Sequence, residues 1–162
     1  MKHVLALALL AMPAAAHVTI APAEAPAASY VRIAFQVPHG CAGAATTAIE
    51  VTLPEGVVIA RPMPRPGWTI AIEMRVIERP IATEDGLVRE APAAIAWSGG
   101  ALPDAHFEEF VMMIRTPNRT GSSLAFPVMQ RCEGGAIHAW AELADGGTRL
   151  RNPAPTLRLS GR

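Results

Sequence analysis

Val31-Arg32-Ile33-Ala34-Phe35-Gln36-Val37 carries the pattern from which the fold is read. Apolar branched and aromatic residues fill every second position, with Arg32, Ala34 and Gln36 between them. Period two over seven residues is the mark of a strand with one buried face. Pro38 and Gly40 halt the run. Further along, Ile49, Val51 and Leu53 alternate with Glu50 and Thr52, and Pro54-Glu55-Gly56 has the chemistry of a turn. A third run, Trp68, Ile70, Ile72, Met74 and Val76, follows the proline-rich connection Pro62 to Gly67. Ile95 and Trp97 predict a short strand ending at Gly99-Gly100, and Phe107 to Ile114 predicts another. Leu124 to Met129 and Ile137 to Leu143 continue the series, separated by the tight-turn residues Cys132-Glu133-Gly134-Gly135. Asp145-Gly146-Gly147 reads as a hairpin turn leading to a strand at Arg149 to Arg151, before a last alternation at Leu157 and Leu159.

Seven to nine short strands, punctuated by 15 prolines and 13 glycines, predict an all-β fold, an antiparallel β-sandwich. No amphipathic helix of useful length competes, and no repeat or linker divides the chain. Charged residues are 17% of the chain, and Lys plus Arg equal Asp plus Glu at 14 each. That balance gives no electrostatic footprint for nucleic acid or for an acidic lipid surface.

The N-terminus reads differently. Lys2 and His3 form a polar head, Val4 to Met12 is an apolar run, and Ala14-Ala15-Ala16 is a small-residue cleavage site, together a secretory signal. The run is too short to span a membrane, and no later stretch approaches the ~20 apolar residues a span needs. The expected organisation is a cleaved signal peptide, residues 1–16, and one β-sandwich domain, residues 17–162, with no stable membrane insertion after cleavage. Cleavage after Ala16 would make His17 an N-terminal residue, with an α-amine and an imidazole Nδ1 able to close one chelate ring. Such nitrogen donors suit Cu(II), which heads the divalent affinity order. The bland alternative is a histidine that merely follows the cut.

Cys41 and Cys132 are the two cysteines. Neither has a CxxC partner, and in an oxidising compartment a disulfide is favoured over two thiolate metal ligands. A bridge would close a loop of about 90 residues and stabilise the fold by roughly 4 to 5 kcal/mol in the chain-entropy model.

Several separate motifs agree with one known pattern. They are Ala16-His17-Val18-Thr19-Ile20-Ala21-Pro22, Val37-Pro38-His39-Gly40-Cys41, Pro66-Gly67-Trp68, Trp97-Ser98-Gly99-Gly100-Ala101-Leu102-Pro103-Asp104, Phe107-Glu108-Glu109-Phe110, Phe126-Pro127-Val128-Met129-Gln130-Arg131-Cys132 and Trp140. In this order, over nearly all of the chain after residue 16, they resemble the YcnI-like copper-binding family. The resemblance implies an exported sandwich, cupredoxin-like or immunoglobulin-like, holding Cu(II) in a monohistidine brace. It implies a role in copper delivery or homeostasis beside a copper-transport membrane protein or another periplasmic copper chaperone. Carried over residue by residue, it implies His17 as the amine and imidazole ligand, Glu109 as the carboxylate and Trp140 as the aromatic group against the metal.

Glu108 stays open as an alternative to Glu109, because adjacent strand residues point to opposite faces and at most one reaches a single metal. If Phe110, Met112 and Ile114 face the core, Glu109 lies on the other face with Val111 and Met113. An edge carboxylate in solvent is the alternative for either. Two nitrogens and a carboxylate favour Cu(II) over Cu(I), and the nitrogens must shed protons to bind, so affinity should fall in mild acid. An indole near the cation adds about 0.5 to 2 kcal/mol and limits access to it. A core role is the better reading for Trp68 and Trp97 and the rival reading for Trp140. His39 and His106 are further candidate ligands or plain surface histidines. His138, two residues from Trp140 on the same strand face, is a candidate ligand or outer partner. Met112 and Met113 sit in a strand, and Met63 and Met129, with no MxxM clustering, read as filler and core.

Enzyme signatures are weak: no glycine-rich phosphate loop, HExxH or supported Ser/His/Asp set stands in the sequence. The catalytic rival is a copper monooxygenase, which would need a second histidine ligand and an open position for oxygen. A metal-free exported interaction module is the third class.

Overall fold

A computed structural model describes residues 17–83, 86–144, 146–147 and 149–161. The expected signal peptide, residues 1–16, and Asp145 of the expected hairpin turn lie outside them. The described residues form twelve strands: β1 (Thr19–Ala21), β2 (Glu24–Pro26), β3 (Tyr30–Val37), β4 (Thr46–Thr52), β5 (Ala60–Pro62), β6 (Thr69–Thr83), β7 (Gly86–Leu102), β8 (Glu108–Arg115), β9 (Ser123–Ala125), β10 (Val128–Cys132), β11 (Ile137–Trp140) and β12 (Thr156–Ser160). No described helix is long and apolar enough to cross a membrane.

The strands make two principal sheets, ordered β1-β3-β8-β5 and β11-β10-β4-β7-β6, and a small third sheet, β2-β12-β9. Their pairings are antiparallel except for β2 with β12, which run parallel. The alternation read at Val31 to Val37 is realised in β3, where Ile33, Phe35 and Val37 are fully buried. They meet Phe110, Met112 and Ile114 of β8 from the same sheet and Ile49, Val51, Ile95, Trp97 and Val128 from the other, all in one core cluster. Each fully buried side chain of this kind contributes about 1.5 to 3 kcal/mol through removal of apolar surface from water. The fold is the expected β-sandwich.

Four local expectations need correction. The strand read around Ile95 and Trp97 is the 17-residue β7, and it runs through Gly99 and Gly100. Leu124 to Met129 is two strands in two sheets, broken where Pro127 cannot donate to a ladder. The segment Arg149 to Arg151 is not a strand; a bridge between Glu142 and Pro153 ties this return to the sheet edge. Met63 is 51% exposed and is no core filler.

The glycine in β7 has a packing reason. A Cβ on Gly100 would stand 2.1 Å from the Trp68 ring, and Trp68 is itself set edge-on to Phe110 at 4.9 Å, with Trp97 on Phe110 at 5.7 Å. Three of the sequence motifs therefore meet in one aromatic cluster. Gly100→Ala is expected to cost about 1 to 3 kcal/mol by overpacking, read as a lower urea midpoint with altered tryptophan fluorescence. An unchanged midpoint would show that Trp68 yields freely.

Candidate metal centre

Short β1 is an edge strand of one principal sheet and β11 is an edge strand of the other. His17, just before β1, is half-buried, and its ring meets Trp140 of β11 edge-on, with centroids 5.5 Å apart and planes at 85°. The open margin between the two sheets is therefore closed by a histidine against an indole.

Trp140 is only 5% exposed, and alternation explains why. It pairs with Val128, as His138 pairs with Gln130, and both partners on β10 are buried residues of the inner face. Trp140 is thus a core residue and a neighbour of His17 at once. Its Nε1 donates to Gln130 Oε1 at 3.0 Å. Gln130, fully buried, donates from Nε2 to the His39 carbonyl and to Thr46 Oγ1, both at 2.8 Å. Thr46 lies 3.8 Å from Cys132 Sγ, and Cys132 is joined to Cys41 in the expected disulfide. A chain of satisfied polar groups therefore runs from the indole to the bridge.

Three imidazoles surround the indole. His138 lies 5.6 Å and His39 6.5 Å from it, centroid to centroid. His39 Nδ1 is 2.6 Å from the Gly40 carbonyl. His17 Nε2 is 2.8 Å from the Arg151 carbonyl. A carbonyl only accepts, so Nε2 is the donor, and in the neutral form of the ring the lone pair is then on Nδ1.

The carboxylates stand elsewhere. Glu109 lies on the outer face of β8, where Gln36 Nε2 donates to its Oε1 at 3.0 Å and Arg32 sits 3.5 Å from Oε2. Gln36 Oε1 in turn accepts from Thr19 Oγ1 at 2.9 Å, so a polar row crosses β1, β3 and β8 in register. Glu108, on the opposite face, is paired with Arg65. Burial pulls the Arg65 guanidinium below its ordinary range, and its Nε has no hydrogen-bond partner among the described residues. His106 is exposed on the turn before β8, its N–H on the Pro103 carbonyl. Among the described residues, no group of three or more His, Cys, Asp or Glu side chains is disposed to hold a metal ion. Of the residues read from the sequence, the fold brings together His17, Trp140, His138 and His39; Glu109, Glu108 and His106 remain on β8 and its approach.

Two contributors escaped the sequence reading. Gln130 had a signal, a polar residue at an inward position between Val128 and Cys132. Glu142 had none beyond its nearness to Trp140. Its Oε2 accepts from the Arg151 N–H at 2.6 Å and the Asn152 N–H at 3.1 Å.

Residues 17–159 match the family described as a domain of unknown function, DUF1775. The chain belongs to that family. The copper-binding protein CutI of Bacillus subtilis (strain 168) is 23% identical over 138 residues, 84% of this chain. The match covers 60% of CutI, so this chain spans about three fifths of the length of that curated relative. An uncharacterized protein from Nocardia farcinica, whose crystal structure is described as an immunoglobulin-like fold, superposes with a TM-score of 0.67 at 31% identity. That likeness covers 89% of this chain and 98% of the Nocardia chain. The YcnI-like resemblance read from the motifs agrees with this family membership, and the DUF1775 match begins on His17.

Proposed function

We propose that this DUF1775 protein is exported, is cut after Ala16, and binds one Cu(II) through the amine and Nδ1 of His17, with Glu109 as carboxylate and Trp140 covering the ion. It serves as a copper chaperone or homeostasis factor, a binding protein and not an enzyme, and exchanges copper with a copper-transport membrane protein or another periplasmic chaperone. One observation carries the reading: His17 Nε2 is committed to the Arg151 carbonyl, which leaves Nδ1 as the nitrogen beside the amine. The donor types, two nitrogens and a carboxylate, suit a borderline ion that prefers nitrogen and oxygen. The name of the Bacillus relative and the start of the family match on His17 support it.

Glu109 is preferred to Glu108 because it ends the polar row that starts on Thr19, two residues from His17, whereas Glu108 is held by Arg65. Ligation by Glu109 requires its carboxylate to leave Gln36 and Arg32. A carboxylate that moves onto the ion makes the site one that forms with its cargo, in keeping with delivery.

Cu(II) titration of the chain beginning at His17, followed by calorimetry, is expected to give one bound ion. His17→Ala should weaken binding by more than the roughly 10- to 100-fold that loss of an outer partner costs. Equal affinity in the two proteins would overturn the reading.

A further inference from the structure

Glu142 makes more contacts with the return segment than a solvent-exposed carboxylate needs. Its backbone N–H donates to the Asn152 carbonyl at 3.0 Å, and its carbonyl accepts from the Ala154 N–H at 2.9 Å. Its carboxylate Oε2 then gathers the N–H groups of Arg151 and Asn152. Four hydrogen bonds thus fasten residue 142 to the segment 151–154, two of them charge-assisted and so stronger than neutral ones. The same Arg151 whose N–H is held on Glu142 turns its carbonyl to His17 Nε2 at 2.8 Å.

The segment 140–142 therefore acts on His17 twice. Trp140 sets an edge-on wall beside the imidazole, and two residues later Glu142 fixes the peptide that takes the ring's Nε2 proton. A wall restrains the ring's position; a carbonyl acceptor also selects the tautomer. In water a neutral histidine populates both tautomers, and only the one protonated on Nε2 offers Nδ1 to an ion already held by the α-amine.

We propose that Glu142 is a positioning residue for His17: by clasping the N–H groups of Arg151 and Asn152 it presents the Arg151 carbonyl to Nε2 and keeps Nδ1 unprotonated and free. The inference rests on the reading of His17 as the copper ligand, but it makes a claim about the metal-free protein that needs no copper to test. Outer partners of this kind orient metal-bound histidines, and their loss costs about 10- to 100-fold in affinity. Glu142→Gln keeps one acceptor oxygen and the side-chain length, so it retains part of the clasp; Glu142→Ala removes it.

The experiment uses the chain beginning at His17, with its imidazole nitrogens observed by 15N-correlated NMR at pH 8, beside Cu(II) titration and electron paramagnetic resonance. The metal-free wild type should show the His17 tautomer protonated on Nε2, and Glu142→Ala should show a mixture. The same variant should bind Cu(II) about 10- to 100-fold more weakly with a broadened or split signal, and Glu142→Gln should recover most of the loss. An Nδ1-protonated ring in the wild type would overturn the proposal even if Glu142→Ala failed to fold. Unchanged tautomer and affinity in a folded Glu142→Ala would overturn it as well. Wild-type copper binding that is indifferent to His17→Ala is a different result, the failure of the ligand assignment itself, and the tautomer measurement would still decide the role of Glu142.

Discussion

Replacing both cysteines, as Cys41→Ser with Cys132→Ser, should lower the unfolding free energy by about 4 to 5 kcal/mol. The bridge joins positions 91 apart, so its loss returns a large loop-closure entropy to the unfolded chain. Against a total stability of about 5 to 15 kcal/mol for a domain of this size, that is about a quarter of the margin or more. Both sulfurs are buried among the sandwich residues, and two hydroxyls there would lack the apolar fit of the bridge. The loss also reaches the candidate site. Cys41 anchors the connection after β3 that carries His39, and Cys132 lies against Thr46, the hydroxyl that receives Gln130. Urea unfolding with and without reductant checks the figure, and a shift below ~1 kcal/mol would mean that the unfolded chain is already compact.

Gln130→Leu should cost about 3 kcal/mol or more, although leucine is close in size and apolar. The glutamine is fully buried and serves three partners: the Trp140 N–H, the His39 carbonyl and the Thr46 hydroxyl. Leucine would leave the buried indole N–H without its acceptor and take one hydrogen bond each from the His39 carbonyl and the Thr46 hydroxyl; a buried polar group without a partner costs about 1 to 3 kcal/mol and each lost bond about 0.5 to 1.5 kcal/mol. Trp140 is the side chain that would show it, since its indole N–H is turned inward only to meet Gln130. The expected result is a lower thermal midpoint together with a changed Trp140 indole resonance. A variant as stable as the wild type would mean that water replaces the amide.

Much of the fold is legible in the sequence because burial dictates alternation. Ile33, Phe35 and Val37, then Phe110, Met112 and Ile114, are periodic apolar residues, and they are the core. The misread segments are those where a local signal met a tertiary demand. Gly99-Gly100 looks like a strand end, yet β7 continues because Trp68 needs the space over Gly100. Leu124 to Met129 looks continuous, yet Pro127 divides it between sheets. The short strands β1, β2 and β5 carry three residues each, too few for any period to show.

The candidate centre divides in the same way. His17 and Trp140 are legible from an expected cleavage site and a motif, and the fold puts them in contact. Gln130 and Glu142 act through an indole N–H and a backbone carbonyl, partners that only topology supplies. His39 was ambiguous in sequence because nothing in a loop motif tells that its ring will face Trp140 across the sandwich margin. The glutamates carry the reverse lesson: Glu108 and Glu109 are adjacent in a motif, yet the pleat sends one to Arg65 and the other to Gln36.

In the proposed function a free N-terminal His17 makes the copper site. Electron paramagnetic resonance of one equivalent of Cu(II) tests it most directly, on the chain beginning at His17 and on the same chain with one extra residue before it. A single type 2 signal with nitrogen hyperfine structure is expected in the first, and its loss or clear alteration in the second, where the amine is displaced from the imidazole. The same signal and affinity in both would contradict it, and His17 would then be a histidine packed on Trp140 and nothing more.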